Sequence, residues 1–211
     1  MKQIPEMCSL QRNNMKETDT RIQYTKSALK GALLRILKTK PIAKVTIKEL
    51  CEEAHLNRGT FYLHYCEPND VLKEIEEDFV SEHLGRFSPY INSRHDLPIL
   101  SKLFFSMIEN RELCLILMGP NSAPQFTERI KHMMWPTLLE DWRRDFPEYS
   151  LEDLEFAYEF IFPGATNLIL QWLRNPKGLT TEEIARRLDR LGHYCHLAIR
   201  EFSPAATGFL S

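Results

Sequence analysis

The nine residues from Asn57 to Tyr65 hold an unusual density of groups that can bind a phosphate or the edge of a base. They read Asn-Arg-Gly-Thr-Phe-Tyr-Leu-His-Tyr, with hydrogen-bond donors at every second position. These donors are Arg58, Thr60, Tyr62 and His64. Gly59 has no side chain and would let the helix tip approach a ligand closely. A protein-docking surface would carry apolar residues at these positions, so the segment favours a nucleic acid.

A short helix is predicted immediately before this segment, over Thr46–Ala54. Thr46 and Glu49 have the spacing of a capping box, in which the threonine accepts a backbone N–H and the glutamate reaches back to the cap. An apolar stripe follows at i, i+3, i+4 and i+7, formed by Ile47, Leu50, Cys51 and Ala54. After a break at His55-Leu56, Asn57 is a good N-cap for a second helix. Two short helices around such a break are typical of a helix-turn-helix.

Residues 24–75, and above all Arg58–Tyr65, resemble the DNA-binding domain of the tetracycline-repressor (TetR) family of bacterial transcription regulators. The resemblance implies an all-α protein with a three-helix DNA-binding domain. Its helices would be Arg21–Lys40, Thr46–Ala54 and Asn57–Tyr65, and the last of them would enter the major groove.

The resemblance also implies roles for individual side chains at the DNA. We expect Arg58 and Thr60 nearest the base edges, and Leu63 against a thymine methyl group. Phosphate contacts are expected from Lys48, Tyr62 and His64, with Thr46 touching the backbone. The full predicted DNA-binding set is Thr46, Lys48, Arg58, Gly59, Thr60, Tyr62, Leu63 and His64.

Two residues depart from the pattern of that family. His55 stands where the family usually has glycine, at a turn position that often needs a positive φ, which histidine adopts at some cost. Pro68 stands where the family usually has lysine, so one phosphate contact is expected to be missing. Pro68 still suits the first turn of a following helix, whose N-terminus can face a phosphate.

The net charge of −2 conceals two oppositely charged parts. Residues 1–68 hold 12 Lys and Arg against 7 Asp and Glu, a balance of +5, and residues 69–211 hold 15 against 22, a balance of −7. A basic N-terminal third predicts a nucleic-acid partner for that part alone. The acidic remainder argues against DNA wrapping around the whole molecule.

Composition predicts a cytoplasmic protein. No run of about 18 apolar residues could cross a membrane, and residues 1–20 lack the apolar segment of a signal peptide, so we expect a flexible arm there. The five cysteines, at positions 8, 51, 66, 114 and 195, form no C-x-x-C pair and indicate a reducing compartment. We therefore predict an arm over 1–20, the DNA-binding domain over 21–68 and a helical dimerisation and effector domain over 69–211.

Helical periodicity continues through that last domain, and no alternation is long enough for a sheet. Ser88–Asp96 is loop-like and predicts a flexible joint, after which helices are expected over Leu97–Asn110 and Arg111–Met118. Capping boxes are predicted at Ser122, Ser150 and Thr180, and a kink at Pro136.

The last two helices resemble the C-terminal domain of the TetR subgroup that includes the dihydroxyacetone-kinase regulators. The resemblance implies a four-helix interface between two copies of the chain, which suits two adjacent amphipathic helices. The predicted interface residues are Gly164, Leu168, Trp172, Leu188 and Leu191. The alternative is that both stripes close the core of a monomer.

Large, soft side chains in the C-terminal domain suggest an effector pocket. The predicted lining is Phe104, Met107, Met134, Trp135, Trp142, Tyr158 and Phe162. Such stripes also build ordinary cores, and in the subgroup resembled here the effector can be a protein instead of a small molecule.

Enzymatic interpretations find little support. The chain has no Gly-rich phosphate loop, G-x-S-x-G or H-E-x-x-H motif, so we predict neither a catalytic residue nor a cofactor. His193 and His196 share a helix face but lack a nearby third ligand, so no metal site is predicted. The sequence therefore predicts a homodimeric regulator, a repressor released by an effector, acting on a palindromic double-stranded DNA operator. The alternatives are control by a protein partner, or a degenerate helix-turn-helix that docks a protein.

Overall fold

The computed structural model describes the backbone of residues 5–84 and 107–200, and side chains over 20–82, 107–195, 197 and 198. Every described element is a helix, and the predicted all-α class is confirmed. The chain divides into two compact units. The N-terminal unit takes in Met1–Phe79 and Pro120–Ser122, and the C-terminal unit takes in Val80–Gly119 and Ala123–Ser211.

The N-terminal unit contains four α-helices and one short 3-10 turn. The helices are α1 (Pro5–Leu37), α2 (Ile47–Glu53), α3 (Arg58–Tyr62) and α4 (Pro68–Phe79), with the 3-10 turn at Ile42–Lys44 between α1 and α2. The predicted domain boundary after residue 68 stays a prediction. In the structure, α4 packs on α1 within this unit.

Helix α1 begins earlier than the sequence analysis predicted. The expected start was Arg21, with a flexible arm before it, whereas the helix begins at Pro5 and ends at Leu37, three residues before the predicted end. The physical reason is that proline suits the first helical position and that residues 6–20 contain neither glycine nor a second proline.

The core of the N-terminal unit is formed by the apolar stripes of all four helices. Its most deeply buried residues include Leu29, Leu33, Leu37, Leu50, Phe61, Val71 and Leu72. Phe61 is fully buried although its helix has only five residues, and burial of such a side chain contributes about 2–3 kcal/mol. This contact anchors a helix that is too short to be stable alone.

The segment Pro120–Ser122 belongs to the N-terminal unit although it follows the first described α-helix of the C-terminal unit. The Ile42 N–H donates to the Asn121 carbonyl over 2.8 Å, and the Asn121 side chain donates to the Leu37 carbonyl over 3.0 Å. The predicted capping box at Ser122 is wrong, because Ser122 is buried and the next helix begins after Pro124 with no side-chain cap. The fixed φ of proline starts that helix instead.

The described part of the C-terminal unit opens with a π-helical turn, Val80–Leu84. Its α-helices are α5 (Arg111–Leu117), α6 (Gln125–Asp145), α7 (Leu151–Arg174) and α8 (Thr181–Arg200). The predicted joint at Ser88–Asp96 lies outside the described residues, as does most of the helix predicted over Leu97–Asn110. Pro136 lies inside the continuous helix α6.

The capping boxes predicted for the last two helices are confirmed. At α7, Ser150 accepts from the Asp153 N–H and its own N–H donates to the Asp153 carboxylate. At α8, Thr180 and Glu183 exchange the same pair of bonds, at 3.2 and 2.8 Å. Because each box satisfies backbone donors that have no partner within the helix, it fixes where the helix begins.

An aromatic cluster fills the space between α6 and α7. The ring centroids of Trp135 and Tyr158 are 4.9 Å apart, and those of Tyr158 and Phe162 are 5.3 Å apart. Trp142 completes the cluster, 6.0 Å from Tyr158. The Tyr158 hydroxyl donates to the Lys131 carbonyl over 2.6 Å, so the one polar group of that ring is satisfied. Among the described residues, no helix is both long and apolar enough to cross a membrane.

Candidate nucleic-acid interface

The turn between α2 and α3 has the geometry that a helix-turn-helix needs. Thr46 caps α2 by accepting the Glu49 N–H over 3.2 Å, but the Glu49 carboxylate pairs with Lys40, so only the threonine half of the predicted capping box forms. His55 has φ +55°, which confirms that this position requires the left-handed conformation for which glycine is better suited. Asn57 then caps α3 by accepting the Thr60 N–H over 2.8 Å. Two side-chain caps and one strained residue therefore set the direction of α3.

Helix α3 has a buried side and an exposed side. Phe61 is fully buried and Tyr65, in the turn that follows, is 6% exposed. On the opposite side, Tyr62 is 61% and Leu63 78% exposed. We call the exposed residues Arg58, Gly59, Tyr62 and Leu63 the α3 face.

Two predicted DNA contacts, Thr60 and His64, lie at the edge of the α3 face and are half-buried. The remaining two lie on α2 and its cap: Thr46 is exposed, and Lys48 is exposed with Nζ 3.8 Å from Glu52. This long, solvated ion pair leaves Lys48 able to bind a phosphate. The structure thus brings six of the eight predicted residues to the surface.

The structure gives a steric reason for glycine at position 59. A Cβ atom at this position would lie 3.1 Å from Oδ1 of Asn57, closer than ordinary van der Waals contact. The predicted role of Gly59, close approach to DNA, stays a prediction. Its absent side chain also leaves room for the carboxamide that caps α3.

A charged network that was not predicted from the sequence supports the end of α3. Glu74 on α4 accepts the Tyr65 hydroxyl over 2.9 Å and pairs with two lysines of α1, Lys26 at 3.0 Å and Lys30 at 2.8 Å. Lys30 also pairs with Asp78 at 2.6 Å. One carboxylate therefore connects α1, α4 and the turn after α3.

The network shifts the protonation of its members. Partial burial opposes ionisation of Glu74, but hydrogen bonds from Lys30, Lys26 and Tyr65 outweigh it and lower the pKa of Glu74 to about 2. Burial, with the Glu74 hydrogen bond, raises the pKa of the Tyr65 hydroxyl. The sequence offers one signal of this network. Lys26 and Lys30 on α1 are four residues apart, and so are Glu74 and Asp78 on α4, so two lysines could face two carboxylates.

The N-terminus of α4 is already capped by the chain itself. The Asp70 carboxylate accepts the N–H of Cys66 over 2.9 Å and that of Glu67 over 3.0 Å. The phosphate contact suggested for this helix end would have to compete with a carboxylate for these donors. A phosphate at the start of α4 stays a prediction.

A second exposed surface lies on α7 and α8, which pack on each other. Three of the predicted interface residues are exposed on it: Gly164, Leu168 and Leu191. Trp172 and Leu188 are half-buried, and the Trp172 indole N–H donates to the Leu179 carbonyl over 3.1 Å within the chain. Trp172 thus holds the α7–α8 connection in addition to any contact with another molecule.

The most exposed aromatic side chains of this surface were not predicted from the sequence. Phe156 is 73% and Phe160 71% exposed on α7, and Tyr194 is 59% exposed on α8. Their i, i+4 spacing with Gly164 was a usable signal, because the buried stripe of α7 runs through Leu154, Tyr158 and Ile161. We call Phe156, Phe160, Gly164, Leu168, Leu191 and Tyr194 the α7/α8 face.

Four of the predicted effector-pocket residues, Trp135, Trp142, Tyr158 and Phe162, form the aromatic cluster of the C-terminal unit. Met134, Trp142, Tyr158 and Phe162 are buried, Met107 and Trp135 are half-buried, and Phe104 lies outside the described residues. The rings that are described contact one another directly. An effector pocket at this cluster stays a prediction.

The chain is similar to known transcription regulators in sequence. Residues 95–194 match the TetR family model described as the transcriptional regulator C-terminal region. An uncharacterized HTH-type transcriptional regulator of Bacillus subtilis, YxbF, is 36% identical over 64 residues, which are 30% of this chain and 17% of YxbF. The HTH-type transcriptional repressor KstR2 of Mycolicibacterium smegmatis is 21% identical over 67% of this chain and 76% of the relative.

Solved structures share the fold. A TetR transcriptional regulator from Streptococcus agalactiae 2603V superposes with a TM-score of 0.62 at 20% identity, covering 84% of this chain and 98% of the other. The dihydroxyacetone kinase operon activator DhaS has a TM-score of 0.51 at 15% identity, covering 82% and 97%. At these identities the likeness establishes a common architecture, a helix-turn-helix followed by a helical domain.

Proposed function

Since the chain belongs to the TetR family of transcription regulators, we propose that it binds operator DNA as a homodimer and represses transcription until an effector releases it. The α3 face would enter the major groove, and each half of a palindromic operator would take one subunit. DNA binding is the activity of the family as a whole. The homodimer, the repression and the release by an effector are the proposal.

The observation that carries the proposal is the make-up of the α3 face. A five-residue helix exposes a guanidinium, a glycine and a phenol, its C-cap exposes Leu63, and its opposite side is anchored by Phe61. Arg58 can bond a guanine edge, Tyr62 a phosphate, and Leu63 a thymine methyl group. Lys48 adds a charge from α2. A helix held so firmly and yet so exposed is suited to recognition.

The α7/α8 face supports the homodimer. Single exposed apolar residues are common on proteins, but α7 exposes Phe156, Phe160 and Leu168 at spacings of four and eight residues, and α8 exposes Leu191 and Tyr194. Gly164 lies on the same i, i+4 stripe of α7, and no described residue lies within 4 Å of the Cβ position it lacks. An isologous pair of such faces would bury both sets of rings against each other.

The sign of regulation is proposed from the relative named as a repressor, KstR2. DhaS is named as an activator, so the structures with this fold include regulators of both signs. We propose that the effector binds at the aromatic cluster between α6 and α7, where a flat apolar molecule would replace some of the contacts between the rings. Control by a protein partner is the alternative.

The salt dependence of DNA binding tests the proposal. The full chain is titrated against DNA from upstream of its own coding sequence at several salt concentrations. If a dimer neutralises about six to ten phosphates, affinity should fall by roughly 10³- to 10⁵-fold between 50 and 200 mM salt, linearly in log–log form. Binding that responds weakly to salt would favour protein docking, and no binding at low salt to any promoter-region DNA would overturn the proposal.

A further inference from the structure

The side chain of Asn57 holds Thr60 through two bonds to a single atom. The Thr60 N–H donates to Asn57 Oδ1 over 2.8 Å, and the Thr60 hydroxyl donates to the same oxygen over 3.1 Å. A backbone N–H can only donate, so the Asn57 atom that faces it is the oxygen and not the amide nitrogen. The hydroxyl, which lies next to that oxygen, must therefore direct its proton towards Asn57.

This arrangement limits what the Thr60 hydroxyl can offer to another molecule. A hydroxyl has one proton and two lone pairs. With its proton on Asn57, Thr60 presents lone pairs alone and acts as an acceptor. Thr60 is half-buried, so part of its side chain remains accessible.

The four bases differ in how they meet such an acceptor. In the major groove, adenine offers its N6 amino group and cytosine its N4 amino group as donors. Guanine offers the acceptors N7 and O6, and thymine offers O4. A hydroxyl that only accepts would form a hydrogen bond with the amino group of adenine or cytosine. Opposite guanine or thymine, two acceptors would meet and no hydrogen bond would form.

We propose that Asn57 is a positioning residue that makes Thr60 a reader of base amino groups. In each half-site, the base that meets Thr60 is then adenine or cytosine. Thr60 belongs to the first turn of α3, the part of a recognition helix that contacts base edges. The inference rests on the proposed function, because it requires α3 to lie in a major groove.

Selection of preferred sites from randomised DNA duplexes tests the role of Thr60. The full chain is compared with Thr60→Val, which replaces the hydroxyl by a methyl group of similar size. We expect the natural chain to prefer adenine or cytosine by roughly 3- to 10-fold at one position of each half-site, as one hydrogen bond allows. Thr60→Val should lose that preference and keep the others, while Thr60→Ser should retain it.

Two variants of Asn57 test the positioning. Asn57→Gly removes the acceptor at little cost to the helix cap. The Thr60 proton is then free to reach guanine or thymine, so the preference should fall to within about 2-fold. Asn57→Asp keeps an oxygen in place and should keep the preference. Base preferences are compared within each protein, and a uniform loss of affinity leaves them unchanged.

The outcomes separate this inference from the proposed function. If the natural chain enriches no sequence, the proposed function fails and the inference fails with it. If the natural chain enriches a site and Thr60→Val selects the same bases at every position, the proposed function stands and the inference is overturned. Retention of the preference by Asn57→Gly would overturn the positioning role of Asn57.

Discussion

The α3 face and the α7/α8 face both expose large side chains, but their supports differ. The α3 face lies on a five-residue helix whose position depends on the Asn57 cap, the burial of Phe61 and the bond between Tyr65 and Glu74. The α7/α8 face lies on helices of 24 and 20 residues that begin with complete capping boxes. One surface is held by a few specific contacts, and the other by long helices.

The comparison separates two kinds of sensitivity. A substitution on the α7/α8 face should leave the fold of one chain unchanged and alter only what binds there, since its side chains are exposed. A substitution among the supports of α3 should change both stability and recognition.

Leu191→Glu should have the largest effect. Leu191 is 54% exposed in the single chain, so a carboxylate there stays hydrated and the chain should fold normally. At the centre of a symmetric interface the same charge would be buried twice without a partner, which costs several kcal/mol. We expect a folded monomer with at least roughly 100-fold weaker operator binding, because one DNA-binding domain makes too few contacts.

Light scattering for mass, circular dichroism for helix content and a gel shift for DNA check this outcome on one sample. Gln125→Glu, which adds a charge at an exposed position of α6, is the matched control and should remain dimeric. A Leu191→Glu variant that is dimeric and binds DNA normally would show that the α7/α8 face is not the interface. Outright unfolding would place Leu191 in the core of the monomer.

Arg58→Ala and Tyr62→Phe should divide the α3 face into reading and positioning contacts. Loss of the Arg58 guanidinium should cost about 1–3 kcal/mol on the preferred site and relax the preference at one base pair of each half-site. Tyr62→Phe removes a phosphate hydrogen bond and should weaken binding to preferred and scrambled DNA by similar factors. The measurement is affinity for both DNAs, and an unchanged preference in Arg58→Ala would make Arg58 a backbone contact.

Glu74→Gln should destabilise the N-terminal unit in a pH-dependent way. Because the pKa of Glu74 is lowered to about 2, its ionised form contributes stability above pH about 4.5 that is lost as the pH falls towards 2. We expect a loss on the order of 2 kcal/mol at pH 7 that shrinks towards zero near pH 2.

Urea unfolding of both proteins at pH 7, 4 and 2.5 measures this difference. Glu52→Gln is the control, because Glu52 is exposed and its ion pair with Lys48 is 3.8 Å long. That variant should change the free energy of unfolding little at any pH. A pH-independent difference for Glu74→Gln would mean that hydrogen bonding, and not charge, is what Glu74 contributes.

Gly164→Ala should have the smallest effect, stabilising the single chain and weakening the dimer. No described residue lies within 4 Å of the new Cβ, and alanine favours a helix over glycine by about 0.5–1 kcal/mol. The single chain should therefore gain stability, while a partner helix crossing at Gly164 would be pushed away and the dimer weakened. Gly31→Ala on α1, whose Cβ would meet Arg35 at an ordinary 3.6 Å, should stabilise without affecting dimerisation. Tighter dimerisation of Gly164→Ala would contradict a crossing at this residue.

Local patterns carried much of the prediction. The spacing of Thr46 with Glu49, Ser150 with Asp153 and Thr180 with Glu183 predicted where three helices begin, because the hydroxyl of the cap residue accepts the backbone N–H three residues later. His55 likewise indicated a positive φ. Ser122 had comparable spacing, but it is buried in the N-terminal unit, so the pattern was overridden by tertiary contacts.

The sequence by itself determined the helical class, the position of the helix-turn-helix and the polar character of α3, since these depend on neighbours within one or two helical turns. Only the tertiary structure decided which residues meet across long separations. Tyr65 and Glu74 are nine residues apart, and Lys26 and Glu74 are forty-eight apart, and no periodicity relates them. The exposure of Phe156 and Phe160 was decided in the same way, because α7 has more than one apolar side and its packing on α5, α6 and α8 determines which side is buried.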